Sequence, residues 1–433
     1  MFGWEFPPHI SGGLGTACQG LTEALTRNNI DILFVTPNDF SNDKSDALVG
    51  DNQSSALPNP NSDPEGQPIQ RGAGIQPIQI QASLNPYNRP NEKITQKRNL
   101  TQWNYASGYF QSEELNPLQD SFSNASSNPT TILDEVYRFK DNAQQLVQEF
   151  CFDLIHAHDW MTFEAAIEAK RRSGKPLIVH IHSTEYDRAG DDGSRIVYNI
   201  ERHGMVEADQ VFAVSERTKN IIVSRYHIDP GKVEVIHNGI QFVNNGALKD
   251  QTLTGKKLVT FLGRVTYQKG PEYFVDAAYQ VHQKFPDVHF IMAGAGDLLP
   301  AMIEKVASLN MSFHFHFTGF LNPEQVEKVW RLTDVYVMPS VSEPFGITPL
   351  EAMQAGIPVI ISKQSGVAEV VNQVIKIDFW NTSALAGSIG ELLSKPGFAN
   401  SLIKKSRREV KKISWDSTSK KIIKAYEKIL AEK

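Results

Sequence analysis

Two doubly wound α/β domains facing each other across a cleft are the fold this sequence predicts. Three observations predict it. Strand and helix patterns alternate regularly from residue 131 onward, a second alternating series begins at Leu258, and a stretch of low apolar content at 241–255 separates the two. Repeated strand–helix–strand units imply parallel sheets covered by helices on both faces. The division expected is an N-terminal domain over 1–245, carrying a polar insertion at about 41–130, then a second domain over 256–413 and a C-terminal helix within 414–433.

The elements follow in order. Met1–Phe6 reads as the end of a strand, then comes a loop through His9–Gly15, a helix from about Thr16 to Arg27, and a strand at Asp31–Thr36. Residues 41–130 are rich in Asn, Gln, Ser and Pro, with short strands expected near Ile75–Ile80 and Tyr105–Gln111. The first domain continues with helix Thr131–Phe150, strand Asp153–Ala157, helix Thr162–Arg172, strand Leu177–Ile181, helix Ser194–Ala208, strand Gln210–Val214 and strand Val233–Ile236. The second domain offers strands at Leu258–Leu262, Val288–Ala293, Ser312–Phe317, Val335–Met338, Val359–Ile361 and Val374–Ile377, with a last helix at Ser414–Ala431. In such folds ligands bind beyond the carboxyl ends of the strands.

Those strand ends hold the unusual residues. In Glu343–Glu351 (EPFGITPLE) two acids flank Gly346 and Pro349, and a helix starts at Thr348. Helix-start amides attract phosphate, and carboxylates accept hydrogen bonds from sugar hydroxyls. The same residues also spell a capping box, Thr348-x-x-Glu351. Gly263–Pro271 places Arg264 and Lys269 after a strand, a fork and a point charge for phosphate oxygens. Gly12, Gly13 and Gly15 precede the first helix without the spacing of a dinucleotide fingerprint. His156 and His158 share a strand face, with Asp159 open to a helix-capping role, and a polar strand end facing the cleft is preferred over a metal pair. His180–Arg188 reads as a ligand loop or a solvated one, with a metal site the minority view, Asn238-Gly239 as a turn, and His314 and His316 as structural. No D-x-D pair is present to clamp a metal–diphosphate.

Taken together, the segments FGWEFPPHISGGLG, HAHDW, HSTEYDR, HNGI, GRVTYQKG and EPFGITPLE resemble those of GT-B glycosyltransferases, closest to the retaining family 4 enzymes and to their glycogen and starch synthase-like members. The resemblance spans both domains and leaves 41–130 and the extreme C-terminus unaccounted for. It implies the GT-B fold, a C-terminal helix at Ser414–Ala431 that crosses back to the N-terminal domain, and a metal-independent, retaining hexosyltransferase with no cofactor, whose leaving phosphate assists acceptor deprotonation. The reaction implied moves a hexose, with glucose favoured, from an ADP- or UDP-sugar to a carbohydrate acceptor, with an α-glucan favoured. Arg264 and Lys269 match the diphosphate-binding pair, Glu343 the acid at the transferred hexose, and Glu351 the acid at the ribose. The backbone of Phe345, Gly346 and Ile347 matches the sugar–phosphate cradle, Gly13 and Gly15 the glycine loop facing the diphosphate, and His158 the histidine at the sugar. Ile10 or Ser11 stands where bacterial ADP-glucose synthases carry a lysine. The alternatives are a sucrose- or trehalose-type disaccharide synthase, another family 4 glycosyltransferase, an epimerase or phosphorylase on the same architecture, and a non-catalytic sugar-nucleotide binder.

Bulk properties bound the rest. The chain has 433 residues, 40% hydrophobic and 21% charged, enough for two or three domains. A net charge of −6 with no dense basic run disfavours nucleic acid. No apolar run approaches the roughly 20 residues that span a bilayer, and no leader peptide is visible. Two cysteines, Cys18 and Cys151, suit a reducing cytoplasm.

Overall fold

The computed structural model describes residues 1–6, 12–37, 67–68, 74–79, 131–242 and 256–432. Strands β1 (Ile32–Thr36), β2 (Gln67–Pro68), β3 (Ile75–Gln79), β4 (Phe150–Cys151), β5 (Ile155–His158), β6 (Leu177–Ile181), β7 (Gln210–Ala213) and β8 (Val233–Val235) lie in the first half. They alternate with α1 (Gly13–Thr26), α2 (Ile132–Glu149), α3 (Trp160–Ser173), α4 (Glu185–Ala189), α5 (Arg195–Glu207) and α6 (Glu216–Tyr226). The second half holds β9 (Lys257–Leu262), β10 (Val288–Ala293), β11 (Phe315–Gly319), β12 (Val335–Met338), β13 (Val359–Ser362) and β14 (Ile375–Ile377). Its helices are α7 (Pro271–His282), α8 (Leu299–Ser308), α9 (Pro323–Leu332), α10 (Thr348–Ala355), α11 (Thr382–Ser394), α12 (Pro396–Val410) and α13 (Trp415–Ala431).

Among the described residues all pairings between named strands are parallel, and an isolated bridge between Gly294 and Gly319 is antiparallel. The second sheet runs β11-β10-β9-β12-β13-β14, the doubly wound order whose direction of winding reverses between β9 and β12. The first sheet joins β5-β6-β7-β8 to β1-β3 through a single residue. Phe2 bridges both Val35 and Ala157, its amide donating to the His156 carbonyl at 2.8 Å and its carbonyl accepting from His158 at 3.0 Å. The opening strand expected at Met1–Phe6 is thus reduced to isolated bridges at Phe2 and Phe6, and the first sheet also reverses winding at Phe2. Both strand-order reversals open on the interdomain cleft, so the loops after Phe2, β5, β9 and β12 are the ones the fold aims at a ligand.

Each sheet is buried because helices cover it. Trp4, Leu21, Phe34, Phe139, Phe163 and Phe212 belong to the first core, and Phe261, Phe274, Phe290 and Phe315 to the second. Helix α13 follows the second domain in sequence but packs on α1, and its Trp415, Ile422, Tyr426 and Ile429 sit in the first core. Trp415 reaches α1 at Gly20, where a Cβ would lie 2.1 Å from the indole Nε1.

Several boundaries differ from the sequence reading. Helix α1 starts at Gly13 rather than Thr16, because Gly12 serves as N-cap and two of the three glycines enter the helix. Strand β11 starts at Phe315, since the His314 amide closes a turn on the Met311 carbonyl at 2.9 Å. The expected strand at Tyr105–Gln111, the loop residues 7–11 and residues 243–255 of the linker lie outside the described residues. Among the described residues no helix is long and apolar enough to cross a membrane.

Candidate active site

The loop after β9 folds into a single 3-10 turn, Tyr267–Lys269, ended by Gly270 in the left-handed region (φ 61°). A Cβ there would stand 2.3 Å from the Pro339 carbonyl oxygen, so only glycine lets this turn press against the loop after β12. Buried Gln268 joins the two loops. Its carbonyl accepts from the amides of Val341 (3.0 Å) and Ser342 (3.4 Å), and its Oε1 accepts from Arg264 Nη2 at 3.0 Å. Lys269 Nζ donates to Glu343 Oε2 in a short ion pair. Glu343 is 5% exposed and also accepts from Ser340 Oγ at 3.4 Å. Its backbone is fixed by a parallel bridge to Ser365, with the Gly366 amide donating to the Glu343 carbonyl at 2.8 Å.

Helix α10 begins at Thr348, with Ile347 as N-cap and Pro349 at the second helical position. The capping box is absent: no side chain caps this helix, and Thr348 instead hydrogen-bonds Tyr336. The amides of Leu350 and Glu351 turn back onto the Ile347 carbonyl, whereas those of Gly346, Ile347 and Thr348 have no backbone partner among the described residues. Phe345 is buried, and Ile347 packs against the first domain's core as well as its own. Glu351 is half-buried as a residue, but desolvation lifts its carboxyl to about 7, with no hydrogen-bond donor among the described residues to offset it.

Facing these are the first domain's strand-end loops. Gly13 is exposed, and the Gly15 amide donates to buried Glu5 Oε2 at 3.0 Å, so an internal carboxylate already occupies one amide of the α1 start. Asp159 stands at the N-cap position of α3 without capping it. Its Oδ1 accepts instead from the amides of His182 (2.7 Å) and Ser183 (3.4 Å), and burial lifts its carboxyl to about 7 against those bonds. His158 is fully buried and its Nδ1 lies 3.0 Å from His182 Nε2, so its ring lies under the loop rather than open to the cleft. Burial holds its pKa well below the ordinary histidine value.

The His182–Arg188 loop is an ordered structural unit. Thr184 and Asp187 close a capping box on α4, and Arg188 pairs with Glu185 and Glu201. Helix α4 lies against the Tyr267–Lys269 turn of the other domain. Buried Asp187 accepts from Ser342 Oγ at 2.6 Å, and Ser342 Oγ accepts from Arg217 Nη2 at 2.9 Å. Glu369 receives the amides of Glu216 and Arg217, both at 2.8 Å, and contacts His237 Nε2 at 2.9 Å.

The structure therefore brings Arg264, Lys269, Glu343 and the start of α10 together in one place. Glu351 lies on the first turn of that helix, and His158 sits apart beneath the opposite loop. Sequence reasoning missed Glu5, Gln268, Asp187, Ser342 and Glu369. Asp187 stood within a segment already singled out, but nothing in spacing paired it with Ser342. The Asn238-Gly239 turn is not formed, since neither residue has positive φ; the segment instead docks α13, with Thr418 Oγ1 donating to the His237 carbonyl at 2.9 Å.

Comparison with known proteins agrees with this fold. Residues 125–242 match the model described as Glycosyltransferase Family 4, and residues 247–409 match Glycosyl transferases group 1. An uncharacterized glycosyltransferase from Methanocaldococcus jannaschii is 27% identical, covering 98% of this chain and 97% of that one. A glycogen synthase from Mycobacterium tuberculosis is 23% identical over 95% of this chain and 89% of its own length. Among solved structures, a sucrose-phosphate synthase from Thermosynechococcus elongatus superposes with a TM-score of 0.72 at 18% identity, covering 100% of this chain and 98% of that one. With its two halves matched in tandem by these models, and its two reversed-winding sheets superposing end to end on such an enzyme, this chain belongs to the GT-B glycosyltransferases.

Proposed function

We propose that the chain transfers a hexose, glucose in the first instance, from a nucleoside-diphosphate sugar to a sugar acceptor of the α-glucan class, with retention at the anomeric carbon and no metal at the diphosphate. One observation carries the reading: the Lys269–Glu343 ion pair sits beside Arg264 and beside a helix start with three amides lacking backbone partners. Two cations and a helix N-terminus are fixed charge for a leaving diphosphate. When the donor arrives, its phosphate competes for Lys269, and Glu343 is released to take hydroxyls of the transferred sugar. Glu351 holds the ribose hydroxyls, and the backbone of Phe345–Ile347 lines the sugar and phosphate. Gly13, exposed and without a neighbour within 4 Å of a built Cβ, leaves room for the diphosphate on the opposite side. His158, having no exposed edge, acts through His182 by supporting the loop above it.

The glycogen synthase relative supports an α-glucan acceptor. The full-length likeness to a sucrose-phosphate synthase favours a second reading, in which the acceptor is a single sugar and the product a disaccharide. A chain with only two cysteines, Cys18 buried and Cys151 exposed, supports a cytoplasmic setting.

The test is nucleotide release from UDP-glucose and ADP-glucose with and without maltooligosaccharide or monosaccharide acceptors. Release is expected only when acceptor is present. Glu343→Gln and Lys269→Ala are expected to lower turnover by roughly 10²–10³-fold, the range for losing one preorganised electrostatic group, with melting temperatures near wild type. Wild-type turnover in both variants would overturn the assigned roles.

A further inference from the structure

A layer of four histidines lies inside the first domain. His156 and His158 are on β5, His180 is on β6, and His182 lies just past it. Parallel pairing sets His158 opposite His180, and the two-residue period of strands puts all four on one face. Neighbouring ring centroids are 4.3–5.4 Å apart. Phe212 meets His156 and His180 edge-on, and Tyr426 of α13 meets His156 edge-on.

Their polar atoms are only partly satisfied. His156 Nδ1 lies 2.6 Å from the Tyr426 hydroxyl, and His158 Nδ1 lies 3.0 Å from His182 Nε2. His156 Nε2, His158 Nε2, both nitrogens of His180 and His182 Nδ1 are buried with no hydrogen-bond partner among the described residues. Each such atom costs roughly 1–3 kcal/mol, so five together demand an explanation. One nitrogen from each of His156, His158 and His180 lies within 4.8 Å of the others. A tetrahedral ion with Zn–N bonds of roughly 2.0–2.1 Å holds its ligand atoms about 3.4 Å apart, which small ring rotations supply.

We infer that His156, His158 and His180 form a binding site for one divalent transition metal of the zinc class, ligated through Nε2 of His156, Nε2 of His158 and a ring nitrogen of His180. The outer contacts fit this use. With Nε2 on the metal, Nδ1–H of His156 donates to Tyr426 and Nδ1–H of His158 donates to His182, and such outer partners fix tautomer and ring orientation. Neutral imidazole is the ligating form. An all-nitrogen set selects zinc-like ions over magnesium or calcium. The ion would staple β5 and β6 together and, through Tyr426, hold α13 on the sheet. It takes no part in the donor chemistry proposed above, and the two readings stand or fall separately.

The experiment uses the untagged full chain, with elemental analysis as purified and Co²⁺ titration after chelation. Stoichiometric zinc, a fall in melting temperature on chelation and a visible Co²⁺ band are expected, since a ligand that binds only the folded state stabilises it. His180→Asn should abolish the band. Tyr426→Phe should weaken binding by about 10–100-fold. His316→Asn, in the other domain, should leave binding unchanged. Folded wild type with no metal and no Co²⁺ band, or Co²⁺ binding that survives His180→Asn, would overturn the site.

Discussion

Glu343 and Lys269 stand far apart in sequence, yet each has the other as its partner in the folded chain. Both residue types were legible as strand-end features; their contact was not, because it depends on Gly270 letting two loops touch. Gly270→Ala places a Cβ 2.3 Å from the Pro339 oxygen at φ 61°. A non-glycine residue held in that region costs about 1–3 kcal/mol before any clash. Urea denaturation is expected to show at least that loss, while Gly387→Ala, in the open interior of α11, should show none. Glu351 makes a pH prediction. Its folded pKa of about 7 lies above the ordinary 4.5, so the native state holds a proton that the unfolded chain has released. Its contribution to stability therefore falls as pH rises from 4.5 to 7 and is level above that. Glu351→Gln should remove that slope, so its denaturation midpoint should gain on wild type between pH 4.5 and 8. Parallel curves would show that the carboxyl is not desolvated.

The short elements at the site depart from their local signals. Thr348-x-x-Glu351 has the letters of a capping box, yet Ile347 becomes the N-cap because Thr348 is drawn to Tyr336 and Glu351 turns into a desolvated pocket. Asp159 sits where an N-cap belongs and instead supports the amides of the next loop. Tertiary partners outbid the local ones in both places. Helix α13 shows the same at larger size. Its amphipathic pattern announced a helix, while its seat on α1 depends on Gly20 and the Trp415 indole. Trp415→Ala should cost about 3–5 kcal/mol, the range for removing a buried tryptophan. A loss below about 1 kcal/mol in denaturant melts, typical of a surface change, would mean the indole is not packed there.

Across the whole molecule, the cleft is held by a polar chain that crosses it: Arg217 to Ser342 to Asp187, with Glu369 receiving two amides of α6 nearby. Ser342 precedes Glu343, so this crossing also fixes the acid proposed to meet the donor. A double-mutant cycle with Asp187→Asn and Ser342→Ala should give a coupling energy of about 0.5–3 kcal/mol, as for residues in one network. Additive losses would mean that the two domains do not meet at this bond. Each single variant should also raise KM for the donor, because the Ser342–Phe345 loop is then held from one side only.

Alternation of strand and helix, glycines before helices and acids or cations after strands were enough to announce two doubly wound sheets and to nominate Arg264, Lys269, Glu343 and Glu351. These are local signals, carried by side-chain period and backbone freedom, so the chain states them without its fold. Which charges meet, which amides stay without a backbone partner among the described residues, why His158 is buried and how α13 seats on α1 at Gly20 were decided only in three dimensions. Those outcomes depend on partners distant in sequence, 24 residues for His158 and His182, 74 for Lys269 and Glu343 and 155 for Asp187 and Ser342, competing with near neighbours for the same polar groups, and burial strengthens whichever contact wins.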